Sequence, residues 1–148
     1  MPIRRAEPAD VPAVERIVEN AYARWVGPVG LRPGPMDDDY VAEVANGKVH
    51  VLEDGGRIVG LIVLLACDDH ILIQNIAVAP GCQGQGHGDA LLAFAGEEAK
   101  RAGVPEMRLY THEKMDTNIA WYTRQGWVVQ SRAEQDQFRR VFFVKSAL

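Results

Sequence analysis

The sequence predicts an α/β fold in which a mixed central sheet is flanked by helices. Two observations support this class. Within residues 49–78, apolar segments rich in Val, Ile and Leu are separated by short turns, which is typical of an antiparallel meander. A glycine-rich loop then joins the last of these strands to an amphipathic helix, and another strand-like segment follows. That order indicates a βαβ crossover, which joins two parallel strands.

The first third of the chain is predicted to be mainly helical. Residues 2–6 predict a short first strand, and apolar residues at helical spacing predict a helix that begins at Pro8 and ends near residues 25–27. Prolines and glycines in residues 28–39 predict an irregular loop, which can form a wall of a binding site. A second helix is expected at about residues 40–45.

The rest of the chain alternates strands and helices. Turn residues separate the strands, and Gly103 and Pro105 stop the helix that follows the glycine loop. The predicted strands cover residues 49–53, 58–66, 71–78, 107–111, 127–130 and 139–145, and the predicted helices cover residues 90–102 and 118–125.

Composition limits the function classes. We expect one domain over residues 1–148, and 16 basic against 20 acidic residues, a net charge of −4, disfavour a nucleic-acid partner. The longest apolar stretch, residues 61–67, is far short of a membrane span, and no apolar run follows the charged N-terminus. We therefore expect a cytoplasmic protein without membrane contact. Cys67 and Cys82 lack ligand spacing, so free thiols and no metal are expected.

The loop between strand and helix has the features of a phosphate site. Amides at a helix start have no intrahelical acceptors, and glycines let a ligand approach the backbone. Four glycines between Gly81 and Gly88 therefore favour a bound phosphate group over a simple turn. His87 and Gly88 stand where a Walker loop needs Lys and Ser or Thr, so the sequence disfavours ATP bound through a P-loop. Asp89 stands where the dinucleotide fingerprint needs its third glycine, so NAD is a weak second choice.

Residues 83–88, Gln-Gly-Gln-Gly-His-Gly, resemble the Q/R-x-x-G-x-G/A pyrophosphate loop of the GNAT superfamily of acetyl-CoA-dependent N-acetyltransferases. The element order β-α-α-β-β-β-α-β-α-β-β matches the GNAT acyltransferase fold over the entire chain. Residues 118–122, Asn-Ile-Ala-Trp-Tyr, and 138–142, Phe-Arg-Arg-Val-Phe, also look like the C-terminal half of that superfamily. The resemblance implies acetyl-CoA as cosubstrate and an amine as acceptor.

The resemblance also implies which main-chain groups bind the cofactor. The pyrophosphate of coenzyme A is expected at the amides of Gln83, Gly84, Gln85, Gly86, His87 and Gly88. The strand end formed by Ile76, Ala77 and Val78 is expected to splay from the next strand, which leaves main-chain groups free to bond pantetheine like an added strand. The ring of His87 is a further candidate neighbour of the pyrophosphate.

Tyr122 lies four residues after Asn118, and this spacing places both on one helix face. Spacing alone leaves Tyr122 as either a packing aromatic or a functional group. The resemblance implies that Tyr122 is the general acid for the departing coenzyme A thiolate and that Asn118 contacts the cofactor. A thiol has a pKa near 8.5, so the thiolate can leave at pH 7 with little help from a proton donor. The contribution of Tyr122 to the rate is therefore expected to be modest.

The group that deprotonates the acceptor amine is harder to identify. Several GNAT enzymes place Glu or Asp on the fourth strand, whereas residues 71–75 here are Ile-Leu-Ile-Gln-Asn. A water chain positioned by Gln74 or Asn75 is one alternative. The other is His112 at the end of the fifth strand, for which an ordinary exposed strand-end position is the favoured interpretation.

The acceptor side is less well defined by the sequence. By resemblance it is covered by Tyr22, Trp25, Met36 and Tyr40, although core packing is the favoured role for any one of them. The acidic residues 37–39 either attract a cationic amine or begin a helix.

We therefore expect an N-acetyltransferase that works by direct attack in a ternary complex. The alternative is a non-catalytic acetyl-CoA-binding sensor or partner module of the same fold, because the strand carboxylate is missing. The sequence does not decide whether the acceptor is a small molecule or a peptide, and a homodimer is one possible oligomeric state.

Overall fold

In the computed structural model, which describes residues 2–147, seven strands form one mixed sheet. The strands are β1 (Ile3–Arg5), β2 (Val49–Asp54), β3 (Arg57–Ala66), β4 (His70–Val78), β5 (Glu106–His112), β6 (Val128–Gln135) and β7 (Phe138–Ser146). The helices are α1 (Val11–Tyr22), α2 (Val26–Val29), α3 (Tyr40–Ala45), α4 (His87–Ala102) and α5 (Asp116–Arg124). Short 3-10 turns cover Pro8–Asp10, Ala23–Trp25, Gly34–Asp37 and Pro80–Cys82.

The strand order in the sheet is β1-β2-β3-β4-β5-β7-β6. Strands β1 to β4 form an antiparallel meander, β4 and β5 are parallel, and β7 pairs antiparallel with both β5 and β6. The helix α4 makes the crossover between the two parallel strands. This arrangement confirms the predicted mixed sheet and its βαβ unit. Among the described residues, no helix combines the length and apolar character that crossing a membrane requires.

Two apolar cores lie on opposite faces of the sheet. Along β3, Leu61 and Val63 belong to one core, whereas Ile62 and Leu64 belong to the other, as the alternation of side chains along a strand requires. Helices α1 and α3 cover the first core, and α4 and α5 cover the second. Each long helix turns one apolar stripe inward, so the chain forms a helix-sheet-helix sandwich.

Strand β4 contains a bulge at Gln74. On β3, Val63 pairs with Asn75, whereas the following residue, Leu64, pairs with Ile73. Gln74 is therefore the extra residue on β4. A bulge of this kind bends the strand, increases its twist and changes which side chains face each side of the sheet.

The bulge has two consequences. Ile71 and Ile73 face the core beneath α4, but Ala77 faces the core beneath α1, so the alternation reverses. Pairing between β4 and β5 also ends at Ile73 and Leu109, and residues 74–78 continue without a β5 partner. The predicted splay of this strand end is confirmed.

Several element boundaries differ from the prediction, most of them by one or two residues. The predicted helix from Pro8 to residues 25–27 is α1 with a 3-10 turn at each end. Helix α4 begins at His87, earlier than the predicted residue 90, because glycine-rich residues of low helix propensity hide the helix start. Strand β6 extends to Gln135, beyond the predicted residue 130, and all its residues are exposed, so no buried face marks it in the sequence. Residues 28–39 contain the end of α2 and a 3-10 turn in addition to loop.

Candidate active site

A groove of about 480 Å³ lies where β4 ends. Its walls come from the end of α1, the end of β4, the glycine loop and α5. Most of the predicted cofactor residues line it, namely Ile76, Ala77, Val78, Gln83, Gly84, Gly86, His87, Gly88, Asn118 and Tyr122. Gln85 is exposed and lies outside this lining. The fold thus brings the predicted residues from three separate segments to one groove.

The main chain of β4 presents hydrogen-bonding groups to this groove, of which the carbonyl of Ile76 also accepts from the hydroxyl of Tyr22 at a long 3.5 Å. The amide of Ala79 donates to the carbonyl of Val59 on β3 at 2.8 Å. Because bonding direction alternates along an antiparallel strand, the amides and carbonyls of Ile76 and Val78 face away from β3. They face the side where pairing with β5 has ended. An extended ligand can therefore add to β4 as a strand would.

The glycine loop presents amides at the start of α4. The first bond of this helix runs from the amide of Ala90 to the carbonyl of Gly86 at 3.1 Å. The preceding amides of the helix, from His87 to Asp89, therefore have no intrahelical acceptor and lie at the positive end of the helix dipole. Gly84 and Gly86 have φ values of +78° and +81°, which glycine adopts at little cost.

Gly88 has a different structural reason to be glycine. A Cβ added there would lie 2.9 Å from Cζ2 and 3.1 Å from Cη2 of the Trp121 indole. No such obstacle lies within 4 Å of a Cβ added at Gly84 or Gly86. Gly88 therefore lets α5 approach the first turn of α4, which places the side chains of α5 against the groove.

His87 is buried at the edge of the groove. Its ring is 2% exposed, and neither ring nitrogen has a hydrogen-bond partner among the described residues. The carboxylate of Asp54 is a charged neighbour, with Oδ2 at 3.8 Å from Nε2. The ring thus lies close to the end of β2, and its predicted place beside a pyrophosphate stays a prediction.

Tyr122 packs in the core and also lines the groove. Its ring packs in the core against Trp121, Trp127 and Phe143, with ring centroids 5.0 to 6.1 Å apart. Its hydroxyl has no hydrogen-bond partner among residues 2–147. Burial raises the pKa of this hydroxyl above its ordinary value, which keeps the proton in place at neutral pH. The core therefore holds a protonated, unpartnered hydroxyl at the groove.

A second cavity, of about 60 Å³, adjoins the groove. Tyr22, Ile76, Asn118 and Tyr122 line both spaces, so the two spaces meet at these residues. The second cavity continues between β4 and β5 towards the 3-10 turn Gly34–Asp37 and strand β7. The groove and this cavity thus approach the same point from opposite sides of the sheet's opening.

The two side-chain amides on β4, those of Asn75 and Gln74, differ in how fully they are hydrogen-bonded. Asn75 is buried, and its Oδ1 accepts from the hydroxyl of Tyr22 at 2.6 Å while its Nδ2 donates to the hydroxyl of Tyr40 at 2.9 Å. The Tyr40 hydroxyl in turn donates to the carbonyl of Pro35. Asn75 therefore ties α1 and α3 to β4. Gln74 lines the second cavity, where its Oε1 accepts from Nζ of Lys48 at 3.4 Å.

His112 lines the second cavity but is poorly prepared to act as a base. Its Nδ1 accepts the main-chain N–H of Lys114 at 3.0 Å, and a main-chain N–H can only donate. The neutral ring therefore carries its proton on Nε2 and has no free lone pair. Burial also lowers the pKa of His112. Its ring meets Phe138 edge to face, with centroids 6.0 Å apart.

The acidic residues 37–39 serve mainly the local structure. Asp39 caps α3, since its Oδ1 accepts from the amide of Ala42 at 3.1 Å. Asp37 accepts from Arg32 at 2.9 Å. Burial, with Glu43 and Asp37 nearby, raises the pKa of Asp38. Of the aromatic residues expected near the acceptor, Tyr22 lines both cavities, Trp25 lines the groove and Tyr40 is buried, whereas Met36 lines neither space.

The comparisons with known proteins agree with this geometry. The family model described as acetyltransferase (GNAT) domain matches residues 45–129. The chain therefore belongs to the GNAT acetyltransferase family. The comparison with curated proteins gave no match. Within residues 2–147, no group of three His, Cys, Asp or Glu side chains is arranged to hold a metal ion, and both cysteines are free thiols.

Solved structures share the whole fold at low sequence identity. The PaiA N-acetyltransferase from Thermoplasma acidophilum, solved in complex with coenzyme A, is 16% identical with a TM-score of 0.80, and the match covers 98% of each chain. Ard1 from Thermoplasma volcanium is 20% identical with a TM-score of 0.79, covering 99% of this chain and 97% of that one. The ribosomal-protein-S18-alanine N-acetyltransferase from Escherichia coli is 21% identical with a TM-score of 0.75, covering 99% and 93%.

The contact between Gly88 and Trp121 makes a stability prediction. Overpacking costs about 1–3 kcal/mol, and the better helix propensity of Ala returns up to about 1 kcal/mol. We expect Gly88→Ala to lower the free energy of unfolding by about 1 kcal/mol in urea denaturation. In a Trp121→Phe background, where the clashing ring atoms are absent, the same change should be neutral or stabilising.

Gly81→Ala is the matched control. A Cβ at Gly81 meets nothing within 4 Å, and Gly81 has no positive φ. Its effect should stay within about 0.5 kcal/mol. An equal cost for Gly88→Ala with and without the Trp121 indole would contradict the steric explanation.

Proposed function

We propose that this protein transfers an acetyl group from acetyl-CoA to an amine by direct attack in a ternary complex. The observation that carries the proposal is that two spaces, a groove and a small cavity, share Tyr122 as a lining residue. A ternary complex needs such an arrangement, because donor and acceptor must be bound at the same time, in separate spaces whose reactive ends adjoin.

Three features of the groove support acetyl-CoA as the donor. The amides at the start of α4 suit a pyrophosphate, and the space above Gly84 and Gly86 is open. The outward main-chain groups of Ile76 and Val78 suit the amides of pantetheine. The family and the coenzyme A complex of the PaiA enzyme point the same way.

In the proposed reaction the amine nitrogen attacks the thioester carbonyl carbon, so that a C–N bond forms and the C–S bond breaks. An amide of the splayed strand end, at Ile76 or Val78, is placed to donate to the carbonyl oxygen as negative charge develops there. Tyr122 hydrogen-bonds to the departing sulfur and passes its proton towards it. Because burial raises the pKa of Tyr122, while a thiol has a pKa near 8.5, this transfer is partial and its contribution modest.

The excess proton of the amine is proposed to leave to water. The polar side chains of β4 that line the small cavity are amides, and His112 has no free lone pair in its neutral form. Of the residues that the structure describes, no Asp or Glu lines this cavity. The acceptor therefore reacts as the fraction of amine that is already unprotonated, which is small at pH 7 for an amine of pKa about 10.4 and larger for a less basic amine.

The alternative function is a sensor that binds acetyl-CoA without turnover. The absence of a strand carboxylate at residues 71–75 supports it. Incubation of the protein with acetyl-CoA and a panel of amines, with detection of free coenzyme A thiol, separates the two. An enzyme releases thiol with at least one amine, whereas a sensor releases none above the rate without protein.

The hydroxyl of Tyr122 makes a mechanistic prediction. Tyr122→Phe should lower kcat by about 10- to 100-fold, the lower part of the usual range for general acid catalysis, because the thiolate is a good leaving group. The melting temperature should change little, since the hydroxyl has no partner among the described residues. Equal kcat values, with the chemical step shown to be rate-limiting, would leave Tyr122 as a packing residue.

The proton path makes a prediction about pH. With water as the proton acceptor, kcat/KM should rise tenfold per pH unit up to the pKa of the amine itself. Two acceptors whose pKa values differ by about one unit should therefore give plots of kcat/KM against pH whose rising limbs are displaced by about one pH unit. A His112 base, whose pKa is lowered by burial, would instead give one limb below pH 6.5 for both amines. His112→Asn is the control and should leave each limb in place.

A further inference from the structure

Arg140 is a cation enclosed within the acceptor-side cavity. It lies on β7 opposite His112 of β5 and lines the 60 Å³ cavity. Its guanidinium carbon is 4.3 Å from the ring centroid of Tyr110 and 5.6 Å from that of Phe138. Only 14% of the side chain is exposed. Stacking on two aromatic rings holds the guanidinium in place and leaves its edge available for hydrogen bonds.

The guanidinium of Arg140 has few partners for so enclosed a charge. Its Nη1 donates to Oε1 of Gln135 at 2.5 Å, and the carboxylate of Asp136 lies 4.0 Å away, beyond hydrogen-bond distance. The Asp136 side chain is 81% exposed. Of the five N–H donors of an arginine, one is therefore used, and its acceptor is a neutral amide.

Other arginines in the chain show the usual arrangement. Arg4, Arg32 and Arg108 have side chains that are 39%, 45% and 33% exposed, and each has a carboxylate oxygen within 2.9 Å. Arg140 is less exposed than these three, and within residues 2–147 its carboxylate neighbours are more distant: Asp136 lies at 4.0 Å, and Asp38 is a further electrostatic neighbour. A charge withdrawn from water is best stabilised by a counter-charge in direct contact, because the burial of a poorly paired charge is costly. A ligand that carries an anion meets this requirement.

We propose that Arg140 binds a carboxylate of the acceptor, so that the acceptor class is a small amine that also carries a carboxylate, such as an amino acid. This inference rests on the proposed acetyl transfer. A planar carboxylate matches the fork of the guanidinium in a two-point contact. The cavity of about 60 Å³ is much smaller than the groove of about 480 Å³, which favours a small acceptor.

The position of Arg140 orients such an acceptor. The cavity extends from Tyr22 and Tyr122, where it meets the groove, to Arg140 on β7. A carboxylate held at Arg140 therefore leaves the amine free to point towards the groove, where the acetyl donor is proposed to lie. The amides of Gln74 and Asn75 line the space between and bring no negative charge that would repel the carboxylate.

The test compares amino acids with their uncharged amides as acceptors. Glycine, L-alanine and β-alanine are each paired with the corresponding carboxamide, and kcat/KM for thiol release is expressed per unprotonated amine. We expect the wild-type protein to prefer at least one acid over its amide by about 10- to 100-fold, as a charge-assisted contact implies. Arg140→Gln should abolish this preference, and Arg140→Lys should keep part of it.

Arg139→Gln is the matched control. Arg139 is the neighbour of Arg140 on β7, so its side chain points to the opposite face; it is 71% exposed and contacts Glu113 at 3.3 Å. This variant should keep the preference for the acid. Thermal denaturation of all variants shows whether a loss reflects unfolding.

Three results would overturn the role of Arg140. Acids and amides used equally well by the wild-type protein would do so, as would a preference that survives in a folded Arg140→Gln variant. If no amine releases thiol, the proposed acetyl transfer fails, and the role of Arg140 is then tested by ligand binding.

With coenzyme A present, an amino acid should raise the melting temperature of the wild-type protein and not that of Arg140→Gln. Equal shifts in both proteins, or none in either, would also contradict the proposal.

Discussion

The separation of β4 from β5 is the constraint on which the site depends. It follows from the single extra residue Gln74, since pairing with β5 ends at the neighbouring Ile73. Beyond that point the main chain of β4 keeps its bonds to β3 on one side and has open bonding capacity on the other. Without the bulge, β5 would occupy the place in which an extended cosubstrate is proposed to bind, and the two cavities would have no opening to share.

The same separation explains how ordinary core packing can place a polar residue at the opening. The ring of Tyr122 is held by Trp121, Trp127 and Phe143, and Tyr122 lines both cavities. Gly88 matters here because it admits the Trp121 indole against the first turn of α4. The glycine loop thus has two functions: it exposes amides towards the groove and lets α5 pack closely. Both depend on positions where any side chain would strain the backbone or collide with a neighbour.

Much of the fold could be predicted from local sequence patterns, because strands β2 to β5 and helix α4 bury apolar faces with clear periodicity. Strand β6 could not be predicted in full, since it is exposed along its length and no alternation marks it. The groove at the glycine loop was also predictable, because exposed main-chain amides follow from glycines and a helix start. The surroundings of the small cavity were not: Arg140 and Tyr110 meet only when β5 and β7 pair, and the Nδ1 contact of His112 is a local main-chain bond with no sequence signature.

The most direct test of the account is residue-resolved amide hydrogen exchange with and without saturating acetyl-CoA. The amides of Ile76 and Val78 face the opening, whereas the amide of Ala77 faces β3 by the alternation of the ladder. We predict that acetyl-CoA slows exchange at Ile76 and Val78 and at the first-turn amides of α4, with little change at Ala77. Unchanged exchange at Ile76 and Val78 under saturating acetyl-CoA would contradict binding by the splayed strand.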